Sequence, residues 1–396
     1  QYFLRFVHLW RSKQVVLFRS HLFFFVDFEF RYHFESYNYH NKQWALPIDA
    51  AMQCASYRAD LMQNESLPTS WEEVFILAKT LATKKLYIGM ALCPTDCLCS
   101  FLSLTAQFGS PIRENNKVLN NEALNNELLV EPSVGIKALS MLRRMRDVFH
   151  PKALDWNPIA LYDYMAEQND IAYSPLAFCY TNYSRTGFRK NILNYHTAPE
   201  INNAVLGGAG IAITSSCSNV HEAANYAAWI CSDDVQSNIY VNAQGQPGNK
   251  TAWENKQANA ITSEFFTNTM ASLTNAYVRP RYQGWPKFQT FLGETIHAYL
   301  LHDIAPELVL EKLQTATPAA LYGAMLAGVD AVLMGAGIPR EIPKIIRDFA
   351  DGKAGTLSVD SERPSGMAAP TLTFDPQESF GAAPRLIRPM FLAIIT

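Results

Sequence analysis

Asp49 is a lone carboxylate inside the apolar run Leu46-Pro47-Ile48-Asp49-Ala50-Ala51-Met52. An acid in such surroundings needs a reason: it caps a backbone turn, or it offers acceptors to a polar ligand. A second group with chemistry to offer is Tyr180, Asn182 and Tyr183, which follow the strand-like Ile171-Ala172-Tyr173-Ser174. Ligands of α/β folds bind beyond the carboxyl ends of strands, although the same three residues also suit a solvated aromatic loop. Both groups suit noncovalent recognition. Covalent catalysis finds no counterpart, because the chain has no G-x-S-x-G elbow, no P-loop and no H-E-x-x-H helix. Cys93, Cys97 and Cys99 are close in sequence, but C-x3-C-x-C lacks a fourth ligand at a familiar zinc spacing. His196, His221 and His297 have no metal-ligand partners at useful spacing, so no metal and no catalytic residue is expected.

The elements that must position these residues alternate between strand and helix. Thr69-Ser70-Trp71-Glu72 reads as a capping box after Pro68, with Val74, Leu77, Ala78 and Leu81 as the apolar stripe behind it. Leu86 to Leu92 reads as a buried strand, and Val134, Ala138, Leu142, Met145 and Phe149 recur at helical spacing. Asp170 to Tyr173 reads as a short strand stopped by Pro175. Ala204 to Ile213 reads as a strand whose Gly207, Gly208 and Gly210 allow close approach of another segment. Asn219 opens a helix that turns Ala223, Ala227 and Ile230 inward. This alternation predicts α/β lobes with largely parallel sheets.

The 396 residues suffice for two or three domains, and a net charge of -3 gives no reason to expect nucleic acid or an anionic membrane as partner. No run of about 18 apolar residues occurs, so no transmembrane helix is expected. Residues 1–40 hold 14 Phe, Tyr or Trp, or 35% against 12% for the whole chain. Residues 1–33 therefore stand apart as an unassigned aromatic-rich segment. They read either as an unusual aromatic edge strand or as sequence outside the native coding frame.

From about residue 34 to 314 the chain resembles the family 1 extracellular solute-binding proteins of ABC importers. The blocks that carry this are Trp44 to Leu61, Pro68-Thr69-Ser70-Trp71-Glu72-Glu73, Val205 to Ile213, Gly245-Gln246-Pro247-Gly248, and Tyr277 to Tyr282 with the helix Phe288 to Leu300. The resemblance implies a two-lobed periplasmic-binding-protein type II fold, with lobe 1 at about 34–56 and 207–245 and lobe 2 at about 57–206 and 246–314. Trp44 to Leu61 would be a strand crossing between lobes, flanked by Trp44 and Asp49 and ending in Tyr57 at the hinge. The glycines 207–210 would serve hinge packing, not phosphate binding. The family's first strand, helix and strand have no match in 1–33, so the first lobe is expected to be incomplete.

The implied function is capture of a small solute, sugar-like by preference, through hinge closure, and delivery to the transmembrane subunits of an ABC permease. Sugar-like ligands offer CH faces to aromatic rings and hydroxyls to carboxylates and amides. The ligand-binding candidates are accordingly Trp44, Asp49, Tyr57, Tyr180, Asn182, Tyr183 and Trp285. Trp285 enters by resemblance and equally suits a core anchor, and Tyr57 equally suits hinge packing. No cofactor and a monomer are expected, in a periplasmic or extracellular setting with a possible lipid tether.

Residues 315–396 depart from this pattern. Pro318 to Pro343, Phe374-Asp375-Pro376 and Arg388 to Ile394 resemble an internal segment of nitronate monooxygenases, flavin-dependent TIM-barrel enzymes. The resemblance implies a partial TIM-barrel-like α/β fragment. FMN chemistry belongs only to the alternative reading of the chain as such an enzyme, and the family's phosphate loops and catalytic histidine lie outside the matched segment.

Overall fold

The computed structural model describes residues 15–16, 31–39, 42–112, 130–200, 202–281, 285–302, 304–314, 331–334, 342–358, 371–377, 386 and 390–393. The chain divides into two compact units. The first comprises Gln1–Ile112, Ala138–Pro280 and Pro286–Leu301, and the second Arg113–Lys137, Arg281–Trp285 and His302–Thr396.

The strands of the first unit are β1 (Val15–Val16), β2 (Asn38–Tyr39), β3 (Lys42–Gln43), β4 (Leu46–Asp49), β5 (Gln53–Tyr57), β6 (Tyr87–Ile88), β7 (Ile171–Phe178), β8 (Asn194–His196), β9 (Ala209–Ile211) and β10 (Ile213–Thr214). The run around Asp49 is thus two strands, not one. The break at Ala50–Met52 is the crossing: β4 pairs with β9 in one sheet, whereas β5 lies in a four-stranded sheet of order β6-β7-β5-β8. Residues 53–56, expected in the first lobe, belong to the second by this pairing.

The four-stranded sheet is mixed, which corrects the expectation of largely parallel sheets. Only β6 runs parallel to β7, and β5 is antiparallel to both β7 and β8. Pro175 does not stop β7. The register shifts between Cys54↔Ala177 and Ser56↔Ser174, so that Pro175 and Leu176 together oppose Ala55. A bulge of this kind is where a sheet tolerates a residue without an N–H.

Helices cover this sheet. The capping box forms one residue later than the sequence suggests: Ser70 Oγ accepts from the Glu73 N–H and the Glu73 carboxylate returns to the Ser70 N–H, opening helix Trp71–Thr83. Between them lies one apolar interior built from Leu161, Tyr162, Tyr195, Trp253, Phe265 and Phe266, all fully buried. Arg58 is buried as well, and its guanidinium is spent on Asp60, Asn169 and the carbonyls of Met165 and Gln168 at 2.7–2.9 Å. It ties the end of β5 to the end of helix Pro158–Glu167.

The other lobe of the first unit is slighter. Leu46, Ile213, Ala224, Ala227 and Cys231 form a small cluster beneath helix Val220–Ile230. Asn219 stands at the N-cap without a side-chain hydrogen bond. Most of residues 1–33 lie outside the described residues; Val15–Val16 pair antiparallel with Ile213–Thr214.

In the second unit, β11 (Ala331–Met334) pairs in parallel with β14 (Met390–Ala393), and β12 (Gly355–Ser358) pairs antiparallel with β13 (Thr371–Phe374). Helix Ile342–Ala350 buries Ile342, Ile345, Ile346 and Phe349. Most of Pro318–Pro343 lies outside the described residues, and the expected barrel-like fragment is described there only at strand Ala331–Met334 and the start of helix Ile342–Ala350.

Candidate functional site

Three chain segments cross between the lobes of the first unit side by side. The first is Ala50–Met52. The second is Val205–Gly208, where Met52 bridges Leu206 and the Gly207 N–H donates to the Ala51 carbonyl at 2.7 Å. The third is Gly245–Gly248, where Gln246 is buried and acts as a clasp. Its Nε2 donates to the Ala50 carbonyl at 2.7 Å and its Oε1 accepts from the Thr181 N–H at 2.8 Å. The glycines allow this packing, as expected. A Cβ on Gly207 would lie 2.8 Å from the Phe178 ring, and one on Gly208 would lie 2.2 Å from the Asp49 carbonyl. Gly208 also has φ +102, which side-chain-bearing residues rarely adopt.

Asp49 ends β4 at the mouth of the first crossing. Its Oδ1 is buried, and neither carboxylate oxygen accepts a hydrogen bond from a described residue. The turn-capping alternative is therefore not what the structure shows. Burial raises the carboxyl from 3.8 to about 7. Two phenols sense its charge. Burial pushes Tyr180 up to about 12, with contributions from Asp96 and Asp49, and burial pushes Tyr240 up to about 12, again with a contribution from Asp49. Asp96, in the first turn of helix Pro94–Gln107, is raised to about 6 by burial, opposed by a hydrogen bond from Cys93 and the charge of Arg279. The result is an electrostatically linked group near the hinge: Asp49 acts on Tyr180 and Tyr240, and Asp96 acts on Tyr180 while Arg279 acts on Asp96. Such a group can accept hydrogen bonds from hydroxyls and stack against CH faces.

Of the seven sequence candidates, Asp49 and Tyr180 are linked, through the charge of Asp49 acting on the Tyr180 phenol. Trp44 lies before β4, at the opposite end of the strand from Asp49, half-buried, with its backbone N–H donating to the Tyr37 carbonyl at 3.1 Å. Tyr57 ends β5 away from the crossing, its ring edge-on to His196 at 5.8 Å. Tyr183 is buried in the interior and its hydroxyl donates to Asp163 at 2.8 Å. Asn182 accepts from Arg185 Nε at 3.1 Å. Trp285 belongs to the second unit and is 1% exposed, a core position. Sequence reasoning missed Tyr240 and Asp96. Tyr240 stands five residues before Gly245 in a recognised block, which was the available signal; Asp96 carried none. Among the described residues no group of His, Cys, Asp or Glu is arranged to hold a metal ion, Cys93, Cys97 and Cys99 included.

No protein-family model matches the chain, and no curated protein matches it in sequence. Solved structures do match. Maltose-bound MalE3 of T. maritima superposes with a TM-score of 0.64 at 15% identity, over 80% of this chain and 88% of that one. The GacH receptor of Streptomyces glaucescens gives 0.64 at 13% identity, over 79% and 80%. An ABC transporter solute-binding protein of Agrobacterium vitis S4 with bound D-mannitol gives 0.62 at 14% identity, over 80% and 82%. The chain therefore has the two-lobed periplasmic-binding-protein type II fold. No helix among the described residues is long and apolar enough to cross a membrane.

Proposed function

We propose that this chain is an extracellular solute-binding protein of an ABC importer, which captures a small polyhydroxylated solute, sugar or polyol, by hinge closure. The observation that carries this is the Asp49 carboxyl at the hinge, whose buried Oδ1 has no hydrogen-bond donor and whose charge acts on the phenols of Tyr180 and Tyr240. A solute hydroxyl would supply the missing donor, and the two rings would take its CH faces. The three adjacent crossings supply a hinge, since bending them together changes the angle between lobes without breaking either sheet. Solute that contacts both lobes stabilises the closed form, which would then deliver it to the transmembrane subunits of a permease. In support, the fold neighbours include proteins with bound maltose, D-mannitol, ribitol and alpha-D-tagatose. The reading needs no cofactor, metal or bond-making step, and it places the protein as a monomer outside the cytoplasmic membrane, with or without a lipid tether.

Thermal shift over a panel of sugars and polyols tests the proposal, followed by titration calorimetry and small-angle scattering of the best hit. The expected result is stabilisation by one class, about 2.7 kcal/mol at a hundredfold excess over Kd, with a smaller radius of gyration. Absence of a shift with every sugar and polyol would overturn it.

A further inference from the structure

A second recess lies in the first unit, and it shares no lining residue with the Asp49 constellation. It has a volume of about 560 Å³ and is lined by Arg185, Thr186, Phe188, Asn242, Gln244 and Ile261, among others. Arg185 is pinned: Nε donates to Asn182 Oδ1 at 3.1 Å and Nη2 to the Val241 carbonyl at 2.6 Å. Both partners are neutral, and no described carboxylate pairs with this guanidinium or lines the recess. Its half-buried charge is therefore held in place and left uncompensated, with Nη1 uncommitted.

The rest of the lining has matching chemistry. The Asn242 and Gln244 amides and the Thr186 hydroxyl make no hydrogen bonds to described residues. Gln244 sits at φ 70, in the left-handed region, where the Gly245 N–H closes on the Tyr240 carbonyl at 2.8 Å. Glycine is the usual residue at such a helix end, and a side chain there costs about 1 kcal/mol. What the glutamine brings in exchange is an amide on the recess wall. Phe188 packs against the interior, with the Arg189 guanidinium 4.6 Å from its ring centre, and Ile261 is 36% exposed, so the recess also offers apolar surface.

We infer that this recess binds a small organic anion, a carboxylate or phosphate ester with a short apolar body. The anion's charge lies on Arg185, its remaining oxygens take donors from Asn242, Gln244 and Thr186, and its body rests on Phe188 and Ile261. Guanidinium suits both anions because its planar donors match their oxygens.

Calorimetric titration of the whole chain with succinate and with glucose 6-phosphate tests this, with glucose as the neutral control. One anion is expected to bind below about 1 mM, more weakly as salt is added, and which one binds names the anion class. Arg185→Gln is expected to lower that affinity about tenfold or more. Gln244→Gly removes the amide while relieving the backbone, so it is expected to fold at least as well as the parent and still bind about threefold more weakly. Asp49→Asn is expected to leave the anion affinity unchanged, which separates this site from the solute cleft. No binding of either anion up to about 10 mM would overturn the proposal, as would parent-like affinity in both Arg185→Gln and Gln244→Gly. Failure of the sugar panel leaves this titration intact, and the converse holds as well.

Discussion

Replacing Asp49 by asparagine separates the cost of the buried carboxyl from its use. Burial raises this group from 3.8 to about 7. Below 3.8 the folded and unfolded chains both carry it protonated, so it contributes nothing to the pH dependence of stability. Between 3.8 and about 7 the unfolded chain ionises and the folded one does not, so stability falls as pH rises. A shift of about 3 units corresponds to about 4 kcal/mol, an upper bound reached above pH 7. Asparagine has no such titration. The stability of Asp49→Asn relative to the parent is therefore expected to rise from pH 4 to pH 8 by up to about 4 kcal/mol, read from urea midpoints at each pH. A difference that stays flat across that range would refute the reasoning. Solute binding should show the other side of the exchange. A hydroxyl that donates to Asp49 favours the carboxylate, so affinity should rise with pH through about 7 and binding should release a proton. In Asp49→Asn both the affinity and its pH dependence should drop.

Three further outcomes follow from particular contacts. Gln246→Ala leaves the Ala50 carbonyl and the Thr181 N–H without their buried partner and should cost about 2–4 kcal/mol in chemical denaturation. Gly208→Ala puts a methyl against the Asp49 carbonyl at φ +102 and should cost about 3 kcal/mol or more; a parent-like melting temperature would show that the crossings do not pack this way. Trp285→Ala should cost about 3–5 kcal/mol as a core deletion while leaving solute affinity in the surviving folded protein within about twofold. A large affinity loss at unchanged stability would return Trp285 to the list of ligand contacts.

The sequence made some of this legible and hid the rest for physical reasons. Asp49 could be found because an acid in an apolar run is a local anomaly. The glycine-rich return segment could be found because only close approach explains three glycines within a strand pattern. The direction of the strands could not, because β5 pairs with β7 and β8 through a topology set by where the chain crosses, not by its local alternation. Pro175 misled for a related reason: whether a proline stops a strand depends on the register of its neighbour, which here places it in a bulge. Tyr240 and Asp96 reach the site only through folding, from a helix end and a helix start, and of the two only Tyr240 stands near a recognisable block of sequence. Tyr183 and Trp285 show the opposite case, aromatic residues with exposed-looking neighbours that the fold uses as interior.

The order of the three crossings bears on how this protein can be made. The four-stranded sheet takes its strands from between Gln53 and His196, and its interior resumes after the third crossing with Trp253 and Phe265, so the stretch 207–245 is in effect a guest inserted in its host. Neither part can mature as a separate bead on the string. The Gln246 side chain joins a carbonyl from the first crossing to an N–H beyond β7, so the last crossing to leave the ribosome fastens the first. A nascent chain that ends before residue 246 therefore has its strands and its Asp49 but no fastened cleft. The three crossings are therefore joined late in synthesis and in a single step, when residue 246 arrives.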